Sequence, residues 1–158
     1  MTNNSNFDSL IDDSFAIIAP LINRFFIDHM QRMIKELGMD LEMCMLWGLV
    51  SHISLANLST LGSVDQIQNA ASGDIDPAAF QSVKLAGLSR ISGLPRETVR
   101  RKLGKLELMG KISKSTDGGW VINPDGVNDM VRIFTKQSIK NFLSMSAVIH
   151  DVLQQSET

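Results

Sequence analysis

The chain has 158 residues, 44% of them hydrophobic and 20% charged, and a formal net charge of −2. That length and balance suit one soluble domain with a sizeable core and exclude a disordered or low-complexity chain. A single cysteine, Cys44, excludes an internal disulfide framework. With no basic leader at the start and no apolar run of the roughly 18 residues a membrane span needs, a reducing cytoplasm and no membrane partner are expected.

After a polar start over residues 1–6, Phe15, Ile18, Leu21, Ile22, Phe25, Phe26, His29, Met30, Met33 and Leu37 recur at helical spacing. They predict one long amphipathic helix that Gly38 stops. Pro20 marks either a kink or the point where regular helix begins. A second helix is expected from about Asp40 to Leu58, and Cys44 within it reads as a small core residue. Residues 59–77 mix Ser, Gly, Asn and Asp and read as a connection with a helical turn or two. Beyond Pro124, apolar residues from Val127 to Leu153 describe one further helix, or two with a bend.

Between these arms lies the chemistry. From Lys84 to Lys114 there are nine Lys/Arg and two acids, Glu97 and Glu107, a local charge of +7, so the rest of the chain sums to −9. Leu88 and Ile91 turn one helix inward, Ser89 is small where two helices cross, and Gly93 leaves that helix in a left-handed conformation. Leu94 plugs the turn, and Pro95 suits the first turn of the next helix. Val99, Leu103 and Leu106 fall on one side of that helix, and Arg96, Glu97, Arg100, Arg101 and Gly104 on the other. Gly104 either permits close approach of a partner or is merely tolerated. Gly110 ends the helix, residues 111–115 alternate as a short strand, and Thr116-Asp117-Gly118-Gly119 offers a turn before Trp120-Val121-Ile122 returns. Lys111 and Lys114 are left for phosphates along the rim of this hairpin.

Helix, tight turn, basic helix and hairpin in this order resemble a winged helix-turn-helix transcriptional regulator. The run Gly93-Leu94-Pro95-Arg96-Glu97-Thr98-Val99-Arg100 with Leu103, Leu106 and Gly110 is similar to the recognition region of the GntR family. That resemblance implies that Arg96 and Arg100 meet base edges or adjacent phosphates and that Thr98 meets a phosphate. GntR proteins carry the module at the N-terminus, whereas its place between helical arms is similar to MarR-family regulators, which dimerise through their two ends. The wing here is shorter than in that family.

The expected fold is therefore mainly α: a single domain over 1–158, with an N-terminal helical arm at 8–58, a winged core at 77–123 and a C-terminal arm at 124–154. The expected function is sequence-specific binding of double-stranded DNA by a homodimer, on a pseudo-palindrome with half-sites about 10 bp apart. Arg101 and Lys105 are assigned to phosphates, while Glu97 either accepts from cytosine or orients Arg100 or Arg101. The alternative is a winged module that docks on another protein without touching DNA. The long arms are better explained by helices that also bury surface against a second copy than by packing within one chain. His29, His52 and His150 lack companions at metal-ligand spacing, and no nucleophile elbow or phosphate-cradling loop appears, so neither a metal, a cofactor nor an enzyme is expected. A small hydrophobic effector would be lined by Phe25, Phe26, Met30, Met45, Trp47 and Met130.

Overall fold

The computed structural model describes residues 3–56 and 80–156, and of residues 3–6 and 156 the backbone alone. The connection expected at 59–77 lies outside the described residues, as does the start of the expected winged core. Among the described residues the protein is mainly helical with one small antiparallel sheet. In order they are α1 (Asn3–Leu37), α2 (Leu41–Ser54), α3 (Leu85–Ser92), α4 (Arg96–Leu108), β1 (Ile112–Lys114), β2 (Trp120–Ile122) and α5 (Asp129–Ser156). The chain forms two compact units, one built from α1 and α5 and the other from Met39–Asn128.

In the first unit α1 is a helix of 35 residues with Pro20 inside it. It starts at Asn3, so the polar residues ahead of the apolar pattern are helical as well. Gly38, at φ 65°, supplies the expected stop. α5 is one helix of 28 residues. The two run antiparallel, since Arg32 meets Phe134 while Phe25 meets Phe142. Ile18, Leu37, Val131 and Phe134 of this unit are buried. Arg32 stacks its guanidinium 4.8 Å from the Phe134 ring centre and donates to the Phe134 carbonyl and to Ser138 Oγ, both at 3.3 Å. Its remaining donors grip Glu36 at 2.7 and 2.9 Å.

The second unit is packed from all its elements. Leu46 and Val50 of α2, Leu88 of α3, and Val99, Leu103 and Leu106 of α4 are fully buried, and Ile112 of β1 nearly so. Each such side chain contributes about 1.5–3 kcal/mol relative to exposure. Asp40 caps α2 by accepting from the Met43 amide at 2.9 Å. Gly93 at φ 71° and Gly110 at φ 68° occupy the left-handed region that ends α3 and α4, as the sequence requires.

β1 and β2 pair with Ile112 opposite Ile122 and Lys114 opposite Trp120. Val83 adds a bridge on the other edge of β2, exchanging backbone hydrogen bonds of 2.9 Å with Trp120. Ile112, Trp120 and Ile122 are buried against the helices. The Ile122 amide donates to Ser54 Oγ at 3.0 Å, which fastens the sheet to α2.

Candidate nucleic-acid interface

The turn between α3 and α4 is set by two serines. Ser89 Oγ donates to the Leu94 carbonyl at 2.7 Å, and Ser92 Oγ accepts from the Leu94 amide at 3.2 Å. Small hydroxyl residues therefore satisfy backbone groups that neither helix can satisfy. Pro95 stands as the N-cap of α4, one position before the first turn. With Val99, Leu103 and Leu106 fixed in the core, the 100° advance per residue turns Glu97, Arg100, Arg101 and Lys105 to solvent, and Arg96 is exposed at the first turn. Thr98 is half-buried on the flank nearer the core. A Cβ on Gly104 would meet nothing within 4 Å, so packing inside the chain gives no reason for a glycine there.

The nine basic residues of this segment are not equivalent. Lys102 lies almost wholly within the unit, its ammonium 2.5 Å from Asp40 and 3.0 Å from Glu42. The hydrogen bond it donates to Asp40 holds the Lys102 pKa above its usual value. Asp40 is in turn below its usual value: burial alone would raise it, but bonds from Lys102 and the Met43 amide outweigh that. This cluster ties the start of α2 to the middle of α4.

Lys111 corrects an expectation. Placed by sequence on the rim for phosphates, it is 5% exposed, with Nζ donating to the Gly126 carbonyl at 2.7 Å and lying 5.2 Å from the centre of the Trp47 ring. Burial pushes its pKa below the usual lysine value. The reason is local. β1 begins only at Ile112, so the strand alternation does not reach Lys111, and the turn at Pro124–Gly126 folds over it. That turn comes so close that a Cβ on Gly126 would sit 2.7 Å from the Gly110 carbonyl and 2.9 Å from Lys111 Cα.

Lys114 remains exposed, with Nζ 3.8 Å from the centre of the Trp120 ring opposite it. Lys84 pairs with Asp117 Oδ2 at 3.0 Å. Arg100 is held by Glu97 through Nε at 2.9 Å and Nη2 at 2.6 Å, both side chains being well exposed. Among the described residues Arg96, Arg101, Lys105 and Lys114 have no acid within ion-pair distance. Those four, with the Arg100–Glu97 pair and Thr98, are what remains of the expected site.

Sequence reasoning missed the anchor of the hairpin turn. Asp117 accepts from Ser82 Oγ at 2.6 Å and from the Gly119 amide at 2.8 Å, besides the contact with Lys84. The Ser82 bond, then the Gly119 amide and Lys84, hold its carboxyl well below the usual range. The Asp-Gly-Gly turn signalled a bend, but its partner lies 35 residues earlier.

The six residues named for an effector pocket are divided between the two units. Phe25 and Phe26 line an apolar groove of about 470 Å³ between α1 and α5 with Ile22, Phe142, Met145 and Ile149, whereas Met45 and Trp47 are on α2. Among the described residues no three metal-binding side chains cluster, and no helix is long and apolar enough to cross a membrane. No protein-family model, curated protein or solved structure matches the chain.

Proposed function

We propose that the protein is a sequence-specific DNA-binding transcriptional regulator of winged helix-turn-helix type, acting as a homodimer in the cytoplasm. The observation that carries this reading is the outward side of α4: Arg96, Arg101 and Lys105 stand exposed with no acid within ion-pair distance among the described residues, on a helix fixed from behind by Val99, Leu103 and Leu106. A rigid cationic helix of about four turns fits the major groove, and phosphate neutralisation supplies the affinity. Lys114, on the hairpin that follows, adds a further cation for the backbone.

The apolar sides of α1 and α5 support the dimer. Phe15, Ile22, Phe26, Ile139, Phe142 and Leu143 are each between 36% and 61% exposed. At the size of such side chains, these six together expose roughly 600 Å². Monomers rarely show patches beyond about 300–600 Å², and one side of a standard interface buries about 800 Å². A second copy laid on this side, with its own helical pair facing back, covers the surface by twofold symmetry.

Selection of bound sequences from a random pool of duplex DNA tests the whole reading. An enriched inverted repeat with half-sites about 10 bp apart is expected. Absence of any duplex binding at low salt overturns it and leaves docking on another protein as the reading that stands.

A further inference from the structure

Resting on the reading that α4 enters the major groove, we propose that Arg100 reads guanine and that Glu97 is the positioning residue that confines it to this task. The carboxylate takes the side edge of the guanidinium, made by Nε and Nη2, at 2.9 and 2.6 Å. The end edge, Nη1 with the second hydrogen of Nη2, has no partner among the described residues. That end edge offers the two parallel donors that match O6 and N7 of guanine.

The pair is not needed for folding. Arg100 is 68% and Glu97 73% exposed, and solvent screens such a contact strongly. An acid in the first turn is favoured by the helix N-terminus whether or not Arg100 is present. The acid therefore stands where the longer side chain can lean on it.

The same contact removes Arg100 from sequence-independent attraction. A bare guanidinium beside DNA takes the nearest phosphate oxygen whatever the bases are. Glu97 cancels that charge and itself repels the backbone, so Arg100 gains affinity chiefly where a base presents two acceptors. Its neighbour Arg101 is equally outward and, although Glu97 feels its charge, makes no ion pair among the described residues, which leaves its donors for phosphate. One helix thus separates reading from holding, and Glu97 draws the boundary.

The test uses the full chain and the duplex recovered by selection, compared with random duplex. Glu97→Gln is expected to bind random duplex several-fold more tightly, with a salt slope steeper by about two in the dimer, one per half-site. Its preference for the selected site over random duplex should fall about tenfold, the order of one bidentate base contact. Arg100→Ala should lose guanine at one position of each half-site, whereas Arg101→Ala should weaken both duplexes alike. Thermal melting checks that each variant folds as the parent does. Glu97→Gln with the parent's ratio and slope, or Arg100→Ala with guanine preference intact, overturns the assignment. A parent protein that binds no duplex at all removes the regulator reading, and this assignment falls with it.

Discussion

Lys111 and Arg101 make opposite predictions about salt, although both belong to the same basic segment of the sequence. Arg101 is exposed and makes no ion pair among the described residues, while Lys111 is enclosed by Trp47 and the Gly126 carbonyl. Arg96, Arg101, Lys105 and Lys114 give up to eight free cations in a dimer, so the logarithm of affinity should fall with the logarithm of salt with a slope approaching about −7. Affinity should then drop by about four orders of magnitude between roughly 50 and 200 mM salt. Arg101→Ala removes one phosphate contact per protomer and should flatten the slope by about two in the dimer, one per half-site. Lys111→Met should leave the slope where it was, since a cation held inside the fold releases no counterion. Fluorescence anisotropy with random duplex at several salt concentrations measures both. A flat salt response in the parent protein, or Lys111→Met and Arg101→Ala flattening it equally, would refute the division between inward and outward cations.

Stability offers a second set of checks. Asp40→Asn keeps a capping side chain but loses the charge facing Lys102, and should cost about 1.5 kcal/mol, the low end for a charged hydrogen bond because Glu42 stays beside Lys102. Asp40→Ala loses the cap as well, about 1 kcal/mol more in denaturant titration; equal losses would mean that the cap contributes nothing. Burial lowers the pKa of Lys111, so in the window just below the usual lysine value of about 10.4 the unfolded chain holds a proton that the folded chain releases. Stability should therefore gain from this residue as pH rises through that window, and Lys111→Met should remove that gain. Lys102 works in the other direction, its contribution being lost only as pH climbs past its raised value. Phe26→Glu with Phe142→Glu should turn a dimer into a monomer by light scattering and weaken palindrome binding about a hundredfold or more. Arg24→Glu, at an 83% exposed position on α1, serves as control, and dimers that survive the double change refute the apolar side as the interface. Gly104→Ala should raise stability by about 1 kcal/mol while weakening duplex binding; unchanged binding would show that closeness to DNA is not why a glycine stands there.

Much of the second unit was legible because its constraints are short in range. Gly93, Gly110 and the stripe Val99, Leu103 and Leu106 each announce themselves within a turn or two of chain, and the structure carries them as expected. Pairings across sequence were not legible. Nothing near Lys102 in the chain shows that Asp40 and Glu42 arrive from another helix, or that Ser82 secures Asp117. Lys111 was misplaced because a period of two was extended one residue too far, across the end of a helix where it does not apply. The polar opening of α1 was missed for a different reason: apolar periodicity detects burial, and a helix in water needs none. The Arg100–Glu97 pair was foreseen as an option, since the two stand three residues apart on one helix, but only coordinates showed which edge of the guanidinium is taken.

Under the proposed DNA-binding role, the Asp117 anchor bears on affinity as well as on the turn it holds. Ser82, the Gly119 amide and Lys84 are among the donors that converge on one carboxylate, and they hold its pKa well below the usual range, so mild acid does not remove the charge they bind. A hairpin tip tied down before any partner arrives would have less loop entropy to surrender on docking. Loosening it through Ser82 or Asp117 would leave every contacting side chain in place and still lower the affinity, an effect invisible to anyone counting contacts.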